Sequence, residues 1–168
     1  ATPLAGWVPD TPAPLRNGNR ITGGVPRNCY RSADDRYLFV SATTDAQVAR
    51  LLPLLGLDSD DARARFGRVA ERLAHGDELD AAVAAWIGAR PAAESVSAFD
   101  AARLPITLVH DLADVVAHPH VAFRESVLTI DDATVGAFTM PAPFPRLDAT
   151  PARVWRPASG NSSSSRSP

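Results

Sequence analysis

The residues of this sequence that could carry chemistry are four histidines, a lone cysteine, three pairs of adjacent aspartates and a glycine doublet set among arginines. His110, His118 and His120 can be drawn together as a metal triad. Yet no two histidines stand at the His-x-x-x-His spacing of one helix face, no glutamate sits at ligand spacing, and His118 and His120 flank Pro119 where a turn is expected. No metal site is expected from that pattern. Cys29, being alone, excludes an intrachain disulfide and any cysteine-built zinc site. Only Arg27 and Arg31 stand near enough in sequence to lower its pKa, so a structural thiol is the expectation. No serine lies in a Gly-x-Ser-x-Gly elbow. Asp34-Asp35, Asp60-Asp61 and Asp131-Asp132 fall at turns or helix starts, where turn formation and capping account for them without acid–base catalysis. What remains is Gly23-Gly24, preceded by Asn17-Gly18-Asn19-Arg20 and followed by Arg27. A glycine-rich loop beside an arginine can approach a phosphate or a thioester. Neither a GxGxxG nor a P-loop pattern accompanies it. The residues alone give no self-sufficient active site.

The elements that must position this loop follow it. Residues 1–28 hold Pro3, Pro9, Pro12, Pro14 and Pro26 with several glycines and no sustained period, a linker or extended loop that Trp7 and Leu15 could anchor. From Tyr30 to Leu55 the chain reads as a strand, an Asp-Asp-Arg turn, a second strand with Tyr37, Leu38, Phe39 and Val40, and a helix capped by Thr43 or Thr44. Val48, Leu51, Leu52 and Leu55 share a helix face, Pro53 calls for a kink or an early end, and Gly56 closes the element. Asp60 to Leu73 reads as one helix with Ala62, Phe66, Val69, Ala70 and Leu73 inward and Arg63, Arg65, Arg68 and Arg72 outward, ended by Gly76. Asp77 should cap the next, with Leu79, Val83, Trp86 and Ile87 buried and Arg90-Pro91 as the stop. A helix from about Ala92 to Arg103 buries Val96 and Phe99, and Ile106 to Val109 reads as a buried strand. Asp111 should cap a short helix through Val116, closed by a His118-Pro119-His120 turn. Two strands, Ser126 to Ile130 and Ala137 to Met140, precede a proline-rich stretch. The pattern is α+β, divided as a linker (1–28), a small domain (29–122), strands with an extended return segment (123–157) and a disordered serine-rich tail (158–168).

The bulk numbers narrow the classes. A chain of 168 residues with 45% hydrophobic content can bury a core. The net charge is −2 and every basic residue is an arginine, scattered rather than gathered on one face, which argues against a nucleic-acid partner. No apolar run approaches the ~20 residues of a spanning helix, and no basic-then-apolar leader pattern opens the sequence. With one cysteine the natural expectation is a cytoplasmic protein.

The order of several motifs resembles the second half of family III CoA-transferases, the group of formyl-CoA transferase, carnitine CoA-transferase and the alpha-methylacyl-CoA racemases. The resemblance runs from about Asn17 to Pro157. It is carried by Gly18-Asn19-Arg20, Pro26-Arg27-Asn28, the run Tyr30 to Ala42, Leu55-Gly56, Arg72 to Leu79, Trp86, and Pro105 to Val109 leading into Asp111 to Val116. His118-Pro119-His120, Met140, Pro145-Arg146-Leu147 and Thr150-Pro151 continue it in order. The resemblance implies the small domain and return segment of an interlocked dimer, with the Rossmann-like large domain absent from this sequence. It implies movement of CoA between carboxylic acids through an aspartyl acyl-enzyme. No aspartate here maps onto that nucleophile, so no catalytic residue is expected in the chain. The coenzyme A thioester is then a substrate, with no tightly bound cofactor. Arg20, Gly23, Gly24 and Arg27 are the residues expected near the substrate loop, and the partners are acyl-CoA, a carboxylic acid, and a second copy or the missing large domain.

Departures from the family pattern bear on the reading. Only Gly23-Gly24 stand where some transferases carry a longer glycine run. Thr43-Thr44-Asp45 replaces a glutamate of the racemases, which argues against racemase activity, and after Arg156-Pro157 a serine-rich tail replaces the family's Gly-x-His-Thr stretch. A non-catalytic subunit, an interaction module or a degenerate remnant is the alternative.

Overall fold

The computed structural model describes residues 16–154 apart from Thr22. Trp7, Leu15 and the serine-rich tail lie outside the described residues. The chain divides into two units after Val109.

The first unit begins with the expected hairpin, β1 (Arg27–Arg31) and β2 (Tyr37–Ser41), paired antiparallel with Cys29 opposite Phe39. Asp35 takes the turn's left-handed conformation at φ 62°, which an aspartate tolerates. Asp34 fastens the turn to the helices beyond. Its Oδ1 accepts from Ser32 Oγ at 2.6 Å and from the Ala92 amide at 2.9 Å, and these bonds hold its carboxyl below the ordinary aspartate range. Helix α1 (Asp45–Leu54) opens with a capping box in which Thr44 and Gln47 exchange hydrogen bonds, and it stops one residue after Pro53. Val48, Leu51 and Leu52 are its buried face.

The stretch expected as one helix from Asp60 to Leu73 is instead two, α2 (Asp60–Phe66) and α3 (Val69–Ala74). Arg68 is extended between them (φ −103°, ψ 147°). That break resets the helical phase, so Val69 and Leu73, expected inside, are 44% and 45% exposed, while Arg72, expected outside, is fully buried. Gly76 does not end the preceding helix: it is the first residue of α4 (Gly76–Gly88), with Asp77 and Glu78 in the first turn. Leu79, Val83 and Ile87 of α4 are buried as their spacing requires.

Helix α5 (Ala92–Ala101) buries Phe99, whose ring meets Trp86 edge-on at 5.7 Å. Strand β3 (Ile106–Leu108) pairs antiparallel with β2, giving a sheet of order β1-β2-β3. As an edge strand it is only half-buried, not the buried strand expected. Two apolar clusters result. Tyr30, Leu38, Val40, Leu51, Val83, Ile87 and Phe99 pack between sheet and helices, and Val48, Leu52, Ala62, Phe66 and Leu79 pack among helices.

The second unit holds α6 (Leu112–Ala117), α7 (Pro119–Phe123) and the hairpin β4 (Val127–Asp132) and β5 (Gly136–Pro141). Asp111 caps α6 through a reciprocal pair with Asp114. His118-Pro119-His120 starts a helix rather than closing a turn: the His118 ring accepts from the His120 amide, and Pro119 occupies the first helical position, where its missing N–H costs nothing. Leu112, Phe123 and Phe144 are 84%, 79% and 93% exposed. Among the described residues, no helix is long and apolar enough to cross a membrane.

Candidate functional site

The loop leading into β1 is the candidate site. Its turn, Ile21 to Gly24, is drawn together by an antiparallel bridge between its two ends. Gly23 sits at φ +87°, where a side chain would be strained, and a Cβ built on it would meet nothing within 4 Å among the described residues. Among the described residues the backbone on that side is open. Gly24 is the reverse case: it is buried, and a Cβ there would lie 3.0 Å from Thr43 Cγ2. The doublet therefore combines an open backbone with a close approach to the connection between β2 and α1.

Both flanks of the turn are tied down. On one side Arg20 pairs with Asp77 and, through Nε at 2.7 Å, with the nearly buried Asp80. The hydrogen bond to Asp77 is the main reason that its guanidinium is held above its usual range. Asp80 also accepts from the Tyr30 hydroxyl at 2.6 Å and from Asn28 Nδ2 at 3.5 Å. Burial, and then this hydrogen bond, push the Tyr30 hydroxyl far above its ordinary value. On the other side the carbonyl of Val25 accepts from Arg72 Nε at 2.9 Å. Nη1 of Arg72 donates to Phe66 O (2.7 Å) and Gly67 O (3.2 Å), and Nη2 to Thr43 O (2.8 Å) and Asp45 Oδ1 (3.0 Å).

Of the residues expected near substrate, Gly23 and Gly24 thus share one turn, Arg20 flanks it, and Arg27 follows as the first residue of β1, half-buried. Arg20 is engaged with two aspartates, whereas Arg27 makes no side-chain hydrogen bond or ion pair among the described residues. Arg72 and Asp80 were not legible as part of the site. Their partners include residues 47 and 52 positions away in sequence, and no local pattern announces them.

Several of the other candidate residues make local contacts. Asp132 accepts from the amides of Thr134 and Val135 in the β4–β5 turn, and Ser59 caps α2 ahead of Asp60 and Asp61. The rings of His110 and His118 meet edge-on at 5.3 Å. In the second unit a recess of about 490 Å³ is lined by His120, Arg124, Leu128, Phe144 and Arg146, among others. Arg146 there bonds Glu125 at 2.8 Å and the Arg124 carbonyl at 3.1 Å.

The chain is 30% identical over 139 residues to a succinyl-CoA–D-citramalate CoA-transferase of Chloroflexus aurantiacus, covering 83% of this chain and 35% of that protein. It is 27% identical over 130 residues to the beta subunit of a succinyl-CoA–L-malate CoA-transferase from the same organism, covering 77% and 32%. It therefore spans about a third of the length of these relatives. Among solved structures, Rv3272 of M. tuberculosis superposes with a TM-score of 0.62 at 25% identity over 79% of this chain and 37% of that one. A CAIB/BAIF family protein from Brucella suis gives 0.70 at 21% identity over 89% and 37%, a likeness of fold. The sequence pattern that defines CoA-transferase family III matches residues 2–161, and the chain belongs to that family.

Proposed function

We propose that the chain is the small-domain and return portion of a cytoplasmic CoA-transferase that moves CoA between carboxylic acids, with succinyl-CoA a candidate donor. The observation that carries this reading is the family match across residues 2–161 in a chain that spans about a third of the length of its relatives. The nucleophile is an aspartate outside this sequence. Its carboxylate attacks the thioester carbonyl, the C–S bond breaks, and CoA leaves as the thiolate while a mixed anhydride forms. The thiolate then attacks the aspartyl carbonyl, giving an enzyme thioester and releasing the first acid. The second acid attacks in turn, and the same steps run backwards to form its thioester. Activated acyl groups at each stage suit a carboxylate nucleophile.

In this reading the Ile21–Gly24 turn presents its open backbone to the acyl-CoA, with Arg27 the charged group next along the chain. The large domain or a second copy completes the site. Alpha and beta subunits among the relatives are consistent with such assembly.

The experiment is CoA exchange between succinyl-CoA and a second dicarboxylic acid, with the purified chain alone and together with a family III large domain. The chain alone should not turn over, the combination should, and a hydroxylamine-trapped acyl-enzyme should carry its label outside residues 1–168. Turnover by the chain alone, or a label on one of its own aspartates, overturns the proposal.

A further inference from the structure

Arg72 is an expensive residue to place where it is. Its side chain is fully buried, and its one carboxylate partner among the described residues, Asp45, is 59% exposed. The other acceptors are backbone carbonyls of Val25, Thr43, Phe66 and Gly67. Desolvating a cation costs several kcal/mol, and an apolar side chain of similar volume often serves packing as well or better. What a guanidinium adds is direction: a rigid planar fork of five donors that reaches acceptors on several edges, where a lysine ammonium offers three donors from a single point.

The acceptors show what is being directed. Val25 immediately follows the glycine doublet, and its carbonyl is held from one edge of the guanidinium. Thr43 is the residue against which Gly24 rests, and its carbonyl is held from another. One side chain therefore sets both the backbone leaving the turn and the surface beneath it. With Arg20 latched to α4 on the entering side, the turn is fixed at both ends while its Gly23 face stays open.

We propose that Arg72 is a positioning residue for the acyl-CoA site: without touching substrate, it holds the Gly23-Gly24 backbone in the shape that receives the thioester. This rests on the reading of that turn as the substrate loop.

The test compares wild type with Arg72→Lys, Arg72→Met and Gly24→Val, and with the Arg72→Lys/Gly24→Val double variant. Amide exchange is followed on the 168-residue chain, and steady-state kinetics on the transferase assembled with its large domain. Arg72→Lys should speed exchange at Gly23 and Gly24 by about tenfold or more while α4 and α5 keep their protection. It should raise KM for acyl-CoA about tenfold with kcat changed by less than about threefold, the mark of lost binding rather than lost chemistry. Gly24→Val, which pushes the turn off Thr43 with Arg72 intact, should give the same KM effect, and the double variant should add little to either. If Arg72→Met does not fold, the lysine and valine variants still decide the matter. Uniform loss of protection with KM unchanged, or additive KM effects, overturns the proposal and leaves Arg72 a packing residue. If wild type shows no CoA transfer while the turn still loosens in Arg72→Lys, the reading of the loop as a substrate site has failed, although the anchoring stands.

Discussion

Removing the Tyr30 hydroxyl tests the buried end of the Arg20 latch. Tyr30 and Asp80 are each 4% exposed, and their 2.6 Å hydrogen bond puts a phenol against a carboxylate in a nearly dry setting. In Tyr30→Phe, Asp80 keeps Arg20 at 2.7 Å but loses its second close donor, since Asn28 stands off at 3.5 Å. A hydrogen bond to a charged group contributes about 1.5–3 kcal/mol. For a domain of ~100 residues this lowers Tm by roughly 6–20 °C at neutral pH. The alkaline limb gives a second, independent reading. Burial first, and the bond to Asp80 second, raise the native hydroxyl above its unfolded value. That contribution is fully present below about pH 10 and is lost as pH rises, because the unfolded chain releases a proton which the native one keeps. The slope is about 1.4 kcal/mol per pH unit. Urea denaturation at neutral pH and at about pH 11 should therefore show the gap between wild type and Tyr30→Phe narrowing by about 1.4 kcal/mol. A gap that stays constant across that interval, or an absent effect at neutral pH, refutes the reasoning.

Two further outcomes follow. Phe99→Ala empties the centre of the first unit and should cost about 3–5 kcal/mol in urea denaturation, with a shift in emission from the neighbouring Trp86. Asp34 works on the acid side. The native carboxyl, held low by Ser32 and then by the Ala92 amide, contributes stability that is present above its unfolded value and lost as pH falls through the native one. Below about pH 4 wild type should therefore lose stability more steeply than Asp34→Asn, measured as Tm against pH.

Much of the first unit could be read from local pattern, because hairpins and caps are written in adjacent residues. Asp34-Asp35 between two β-rich runs and a threonine cap at position 43 or 44 gave the hairpin and the start of α1, with Thr44 the residue that caps. The glycine doublet was legible as a special backbone for the same reason. What could not be read depended on partners distant in sequence. The arginines at 63, 65, 68 and 72 look alike on a helical wheel, and only the extended Arg68 turns Arg72 inward to carbonyls that lie elsewhere. Arg20 could be assigned to the glycine loop from its position, but its engagement with Asp77 and Asp80 needed α4 in position. The half-burial of β3 likewise reflects its edge place in the sheet, which an apolar run of a few residues does not specify.

The way Arg72 is held also orders the assembly of the first unit in time. Phe66 and Gly67 are near it along the chain, whereas Asp45, Thr43 and Val25 are 27, 29 and 47 residues away. Until those distant carbonyls arrive, the guanidinium must keep its hydration, since a half-partnered buried cation is among the costliest states a chain can occupy. Dehydration of Arg72 is then coupled to closure of the longest of these loops and belongs late in folding. Substitutions at Arg72 should chiefly speed unfolding and leave the folding rate nearly unchanged. The same coupling predicts that amides of the described residues just before β1 exchange faster than those of the sheet and helices, as native-state hydrogen exchange would show.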